Sequence, residues 1–167
     1  MKPDTAGLAD EALQIRALQP VDAAAVAALV RRGFIAHVAA DWEAGAAANF
    51  IEHSLSTEAL AGLIAESVFT AGAFIKTESL LGVIIMPRPE WLELLFVDNA
   101  ASGGGIGRRL WQEARRFVTG LTPKVQAVEL HATAYALGFY RKLGFVPGET
   151  LLRNGRHGTR MTWRANA

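Results

Sequence analysis

An apolar segment runs into a glycine-rich loop and then into a helical pattern, and this junction limits the fold more than any other feature. The apolar residues span 92–97, and four glycines follow at Gly103, Gly104, Gly105 and Gly107. Glycine has no Cβ, so its N–H groups can approach an anion closely. The N-terminus of the following helix adds unpaired donors and a partial positive charge. The junction therefore predicts an anion-binding loop between a buried strand and a helix.

Known nucleotide-binding motifs narrow the ligand of this loop. The dinucleotide motif G-x-G-x-x-G fails, because Arg108 or Leu110 stands where its third glycine belongs. A Walker A loop ends in Gly-Lys-Ser/Thr, whereas this loop continues as Gly107-Arg108-Arg109. Two arginines in the first turn oppose the helix dipole, so they indicate phosphate binding rather than helix stability. What remains is a pyrophosphate cradle of the kind that closes on coenzyme A, or else a flexible surface loop.

Composition sets the class of protein. The chain has 167 residues, 51% hydrophobic and 20% charged, which fits one folded domain over 13–167 after a disordered leader at 1–12. The net charge of +1 gives no basic face for nucleic acid, and the absence of cysteine excludes disulfides and thiolate sites. No apolar run reaches the roughly 20 residues of a membrane span, and no signal peptide is apparent. We expect a cytoplasmic protein without nucleic-acid or membrane partners. No histidine pair has metal-ligand spacing, so no metal is predicted.

Hydrophobic periodicity predicts the order of helices and strands. Strands are expected near 13–18, 68–76, 80–86, 92–97, 125–130, 145–152 and 159–163. Helices are expected near 23–32, 56–66, 106–118 and 135–143, with an irregular, alanine-rich stretch at 33–53. A strand–helix–strand crossover over 92–130 makes two neighbouring strands parallel. The order predicts a mixed α/β fold with helices on both faces of the sheet.

A second informative block covers residues 131–145 and reads H-A-T-A-Y-A-L-G-F-Y-R-K-L-G-F. Together with the glycine loop, it resembles the GNAT superfamily of acyl-CoA-dependent N-acetyltransferases. That family carries L-F-V-x-P-x-x-[Q/R]-G-x-G-[IV]-G, matched here by 95–107, and N-x-x-x-x-A-x-x-F-Y-x-x-x-G-F, matched by 131–145. The resemblance implies a mixed, mostly antiparallel twisted sheet of six to seven strands, with a parallel strand pair at the coenzyme A site.

Three positions depart from the family pattern. Ser102 stands where the family has Gln or Arg, Asn99 replaces a proline, and His131 replaces an asparagine. None of these changes removes the backbone donors of the loop. Ser102 keeps a hydrogen-bonding group but has less reach, and we expect Arg108 to compensate.

The resemblance assigns acetyl-CoA to the glycine loop and to the strand before it. It implies that backbone N–H groups of the loop hold the pyrophosphate, from Gly103, Gly105 and Gly107 with their neighbours Gly104, Ile106 and Arg108. It also implies that the backbone of Phe96 and Val97 pairs with the pantetheine arm and orients the thioester. Ser102 and His131 complete the predicted contacts with the donor.

Tyr140 and Glu93 are the predicted catalytic residues. Tyr140 matches the family position proposed to protonate the departing thiolate, which a phenol can do at neutral pH. The alternative is a buried ring with a structural hydroxyl. Glu93 shares a face with Trp91 and Leu95 by alternation, where apolar neighbours would strengthen it as a base. His131 or a water relay is the alternative base, and a solvated, structural Glu93 is the competing interpretation.

The acceptor side is the least determined part of the site. In the GNAT fold it is covered by the helices after the first strand, here about 34–60, and we predict that Phe34, His37, Trp42 and Phe50 line it. The alternative for each aromatic residue is a place in the ordinary core. Acidic residues of the same stretch are expected to attract a cationic amine, namely Asp41, Glu43 and Glu52. The turn at 153–156 is expected to flank its mouth.

These features predict an N-acetyltransferase that moves the acetyl group of acetyl-CoA to a primary amine of a small molecule. Direct attack in a ternary complex is expected, because the chain has no cysteine to carry the acyl group. The alternatives are a protein or peptide amine as acceptor, and a non-catalytic acyl-CoA-binding regulatory module. Analogy with the family also makes a homodimer a possibility through the closing strands.

Overall fold

The computed structural model describes residues 13–75 and 79–166. The predicted leader at 1–12 lies outside this part of the chain. The helices are α1 (Ala23–His37), α2 (Ala44–Asn49), α3 (Thr57–Glu66), α4 (Ile106–Thr119) and α5 (Leu137–Lys142). The strands are β1 (Leu13–Arg16), β2 (Phe69–Ile75), β3 (Ser79–Met86), β4 (Leu94–Val97), β5 (Ala127–Ala132), β6 (Val146–Arg153) and β7 (Arg156–Arg164).

The strands form two antiparallel sheets that meet at one parallel bridge. The first sheet has the order β1-β2-β3-β4, and the second has the order β5-β7-β6. The bridge pairs Trp91 with Glu129, where Leu92 N donates to Glu129 O at 2.9 Å. The predicted parallel pairing is confined to this bridge, because β4 and β5 themselves are not paired. The predicted mixed, mostly antiparallel architecture of six to seven strands is confirmed, with seven strands among the described residues.

A hydrophobic core lies on each face of the first sheet. On one face, α1 and α3 pack against Phe74, Val83 and Ile85. On the other face, α4 buries Trp111 against Met86 and against the second sheet. The predicted placement of helices on both faces is therefore confirmed. Within residues 13–75 and 79–166, no helix is long and apolar enough to cross a bilayer.

The stretch at 33–53, predicted to be irregular, is mostly helical. α1 continues through Gly33 to His37, and α2 is followed by a π-helical turn at Phe50–Ser54. Glycine is required inside α1, because a Cβ on Gly33 would lie 2.6 Å from Phe96 Cδ1. Local propensity favours a helix end at glycine. The contact of Gly33 with β4, which explains the glycine, cannot be read from the local sequence.

β4 begins with a bulge. Glu93 N donates to Ile85 O at 3.0 Å, and Leu94 is also the ladder partner of Ile85. Two residues of one strand thus face one residue of β3, which defines a bulge. Leu92 and Leu95 accordingly pack in the same core, although strict alternation would put them on opposite faces. The bulge changes the direction of the residues that precede β4.

Candidate active site

The separation of β4 from β5 opens a cleft of about 1420 Å³. We call the part beside the glycine loop the donor half, and the part beside Phe34, Trp42 and the β6–β7 turn the acceptor half. The fold places all but one of the predicted site residues on the cleft wall: Phe34, His37, Trp42, Phe50, Glu93, Phe96, Val97, Ser102, Gly103, Gly105, Ile106, Gly107, Arg108, His131 and Tyr140. Gly104 is the exception. Segments far apart in sequence therefore meet at one cavity.

The glycine loop presents backbone donors to the donor half. Gly103 and Gly105 have φ angles of 86° and 80°, a region that residues with a side chain rarely adopt. Gly105 is the N-cap of α4, and no side chain caps this helix. Arg109 N donates to Gly105 O at 3.0 Å, so the N–H groups of the three residues between them precede the helical ladder. Such uncapped donors, with the positive end of the helix dipole, fit a pyrophosphate.

Two other glycines of the loop differ in what they contact. Gly104 N donates to Ala101 O at 3.4 Å, and Gly104 is not on the cleft wall. The local turn thus directs its N–H away from the predicted pyrophosphate site. Gly107 lies against α5, where a Cβ would be 2.8 Å from Phe139 Cζ. The absence of a side chain at Gly107 lets the helix that carries Tyr140 pack on the first turn of α4.

The outer edge of β4 faces the cleft, because β4 is an edge strand of its sheet. Asp98 N donates to Leu81 O of β3 at 2.7 Å. Hydrogen-bonded pairs alternate along an antiparallel ladder, so Phe96 directs its backbone groups to β3, while Leu95 and Val97 direct theirs to the cleft. The predicted backbone role of Phe96 is corrected by this register. Leu95, for which the sequence predicted no such role, has the orientation that was expected of Phe96.

Tyr140 lies on α5 with its ring buried at the cleft wall. It is 6% exposed and packs edge-on against Phe139 and Phe145, with ring centroids 5.2 and 5.5 Å away. Burial raises the pKa of the Tyr140 phenol well above its ordinary value. The phenol therefore keeps its proton at neutral pH and can act as a hydrogen-bond donor towards the cleft.

Glu93 and His131 lie on the same part of the wall, and Trp91 contacts both of them. Trp91 Nε1 donates to Glu93 Oε2, and the His131 ring packs edge-on against Trp91 with centroids 4.9 Å apart. Glu93 is exposed, so the apolar surroundings expected for it are not formed. Partial burial lowers the pKa of His131, Arg160 lowers it further, and Glu93 and Glu129 oppose both effects. The imidazole is thus neutral at pH 7 and able to accept a proton.

Three aromatic rings form the base of the acceptor half. Phe34, Trp42 and Phe50 have centroids 5.1 to 5.2 Å apart. The guanidinium of Arg156 lies over two of them, 5.2 Å from the centroid of Trp42 and 5.0 Å from that of Phe50. The acidic residues expected to attract an amine do not line the cleft: Asp41, Glu43 and Glu52. The helical course of this stretch directs them elsewhere.

His37 links the two sides of the cleft. Its Nε2 is 2.8 Å from Asn99 Oδ1, and its ring stacks on Tyr135 with centroids 3.8 Å apart. The contacts join the end of α1 to the segments that follow β4 and β5. Asn99, which departs from the proline of the family pattern, thus has a partner here that proline could not provide.

Some wall residues were not anticipated from the sequence. Tyr135 stacks on His37, and Arg160 is the ladder partner of His131 on β7. The signal for Tyr135 was its place in the second motif block, four residues after His131. Arg160 could be found only from the register of β5 with β7. Within the residues that the structure describes, no group of three or more His, Asp or Glu side chains is arranged to hold a metal ion.

Comparison with solved structures gives chains of the same fold. PaiA N-acetyltransferase from Thermoplasma acidophilum, in complex with coenzyme A, is 20% identical with a TM-score of 0.74, covering 91% of this chain and 98% of that one. An aminoglycoside 6'-N-acetyltransferase complexed with coenzyme A is 15% identical with a TM-score of 0.67, covering 90% and 96%. A spermidine N-acetyltransferase variant from Vibrio cholerae is 17% identical with a TM-score of 0.63, covering 93% and 95%.

Comparison at the sequence level gives the family. No curated protein matches the chain. The family model described as an acetyltransferase (GNAT) domain matches residues 24–165, which include the glycine loop, the cleft and both sheets from β2 onwards. With this match over most of its length and the fold described above, the chain belongs to the GNAT acetyltransferase family and is an acyltransferase.

Proposed function

We propose that the protein transfers the acetyl group of acetyl-CoA to a primary amine of a small molecule, by direct attack in a ternary complex. The observation that carries this proposal is the continuity of the cleft. The uncapped N-terminus of α4, the outward edge of β4 and the protonated hydroxyl of Tyr140 all border the same space as the acceptor half. A donor and an acceptor can therefore be bound side by side.

The donor half is matched to the parts of acetyl-CoA. The loop donors of Gly103, Gly105 and the first turn of α4 bind the pyrophosphate. The outward backbone groups of Leu95 and Val97 pair with the amides of the pantetheine arm, as a neighbouring strand would. This pairing brings the thioester towards the middle of the cleft, where backbone donors polarise its carbonyl.

Acetyl transfer then needs two proton movements. A bond forms between the amine nitrogen and the acetyl carbon, and the bond between that carbon and the sulfur breaks. His131, neutral at pH 7, or Glu93 accepts the proton that the amine loses, directly or through water. Tyr140 donates its proton to the sulfur as the thiol leaves, and regains one from solvent.

A small molecule is the preferred acceptor because the β6–β7 turn covers the acceptor half. Trp42 Nε1 donates to His157 O at 3.1 Å, and Glu43 N donates to Gly155 O at 2.8 Å. These bonds hold the turn over the aromatic base and limit the room for a polypeptide. The solved relatives named for spermidine and aminoglycosides also have small amines as substrates.

Thiol release in the presence of acetyl-CoA and a panel of small amines tests the proposal. We expect release that depends on the amine, and a fall in kcat of about 100- to 10,000-fold for Tyr140→Phe, as is usual on loss of a general acid. The affinity for coenzyme A, measured by calorimetry, should be unchanged in this variant. Tight coenzyme A binding with no turnover of any amine would instead identify a non-catalytic binding module, and turnover of peptides alone would identify a protein acetyltransferase.

A further inference from the structure

Two arginines of the β6–β7 turn lie on the wall of the acceptor half without a carboxylate partner. Arg153 and Arg156 flank the two-residue turn and both line the cleft. Among the described residues, neither forms a salt bridge within 4.0 Å. The contacts of Arg156 are with the ring faces of Trp42 and Phe50.

The carboxylates of the cleft wall are already engaged. They are Glu93 and Glu129, compared with five arginine or lysine side chains on the same wall. Glu129 pairs with Arg160, and Glu93 accepts the indole N–H of Trp91. Glu43 lies against the turn at Gly155 but is not part of the wall. In the acceptor half, Arg153 and Arg156 therefore have no carboxylate partner on the wall, where the sequence suggested negative charge.

The hairpin backbone that carries Arg156 is held in place before any acceptor binds. The turn has the left-handed conformation at both central residues, with φ of 52° at Asn154 and 73° at Gly155, as in tight hairpins. The bonds from Glu43 N and Trp42 Nε1 hold the hairpin to the aromatic base. Arg156 lies over these rings, and no other polar or ring contact of its guanidinium is found among the described residues. The N–H groups of a guanidinium match a carboxylate in a bidentate arrangement.

Resting on the proposed function, we infer that the acceptor is an amine that also carries a carboxylate, and that Arg156 binds this carboxylate with Arg153 beside it. The α-amine of an apolar amino acid has the required chemistry, because its side chain can contact the partly exposed rings of Trp42 and Phe50 beside Arg156. Polyamines and aminoglycosides are opposed by the same positive charge. Arg156 is therefore a specificity-determining residue.

Matched pairs of acceptors test this inference. Free amino acids, each paired with its C-terminal amide, are assayed for acetylation next to spermidine. The acid should be preferred in kcat/KM, although the amide has the more readily deprotonated amine. Arg156→Gln should raise KM for the acid by about 10- to 100-fold, the usual range for loss of a charge-assisted contact, with little change for the amide. Arg156→Lys should restore part of the preference.

Arg164→Gln serves as the control, since Arg164 is exposed on the same strand but outside the cleft. It removes the same charge and should leave the preference intact. Turnover of amides or spermidine in preference to every free acid would overturn the inference and leave the proposed function standing. Equal loss of preference in Arg164→Gln would overturn it too, since a general charge effect would then explain the result. Absence of turnover with any amine would overturn the proposed function itself, and this inference with it.

Discussion

The two halves of the cleft are built from different kinds of atoms. The donor half is made mainly of backbone groups, namely the N–H groups of the glycine loop and the outward edge of β4. The acceptor half is made of side chains, with the aromatic base, His37 and the arginines of the β6–β7 turn. A backbone site depends on a few glycines in one short segment. A side-chain site depends on several segments and can change its ligand by single substitutions.

The largest expected effect is on coenzyme A affinity and comes from a substitution that changes the backbone of the glycine loop, in the donor half. Gly105→Val places a β-branched residue at a φ of 80°, which costs roughly 1–3 kcal/mol and displaces the loop donors. We expect the affinity for coenzyme A in calorimetry to fall by about 5- to 160-fold, the equivalent of that strain. Gly104→Ala is the matched control, because Gly104 has no such φ and lies off the cleft wall. Similar losses in the two variants would contradict the assignment of the pyrophosphate donors within the loop.

The next effect acts where the halves meet, at the contact between α1 and β4. A Cβ in Gly33→Ala would lie 2.6 Å from Phe96 Cδ1, and overpacking of this kind costs about 1–3 kcal/mol of unfolding free energy. Gly62→Ala, on α3 with open space around it, should instead stabilise by up to about 1 kcal/mol. Urea unfolding of both variants measures the difference. Equal stability of the two variants would show that β4 yields easily at this contact.

A smaller effect tests how little side chains contribute to coenzyme A affinity in the donor half. Ser102→Arg restores the type of residue found in the family pattern, and Ser102 is exposed at the loop. We expect coenzyme A affinity to stay the same or to rise by a few-fold, because an exposed ion pair contributes about 0–1 kcal/mol. Calorimetry provides the measurement. Marked weakening would mean that the pyrophosphate binds elsewhere.

The smallest effect concerns His131, which borders both halves. The folded state lowers the pKa of His131 below its unfolded value, so below pH 6.5 the unfolded chain binds this proton more readily than the folded one. Stability should therefore fall as the pH decreases from 6.5 towards the folded pKa, and His131→Gln should lose slightly less stability over the same interval. Urea unfolding of both proteins at pH 7.5 and 5.5 makes the comparison. A steeper loss in the variant would mean that folding raises the pKa of His131 instead.

The sequence was most informative where function depends on contiguous residues. The glycine loop, Tyr140 and His131 lie in two motif blocks, and their positions on the cleft wall agree with those blocks. The directions of individual backbone groups were not accessible, because they depend on pairing register. Phe96 and Gly104 are examples, since their backbone groups bond to β3 and to Ala101.

The acceptor half was only partly predictable. Phe34, His37, Trp42 and Phe50, predicted from their place in the chain, all border the cleft, whereas the carboxylates of the same stretch do not. Gly33 and the alanines that follow gave no helical pattern in the sequence, although α1 continues through Gly33 and packs there against β4. The pairing of Arg160 with Glu129 and the cation–π contact of Arg156 with Trp42 join segments over 30 residues apart. No local pattern contains such information.

The strand order β5-β7-β6 has a consequence for biosynthesis. Of the strands in the described part of the chain, β7 leaves the ribosome last, yet it is the central strand of its sheet and forms ladders with both neighbours. While translation is under way, β5 and β6 have no direct pairing that would hold them together. The second sheet, and with it the turn that covers the acceptor half, must therefore assemble after synthesis has passed Arg164. In the nascent chain, the glycine loop can therefore become ordered before the acceptor half is complete.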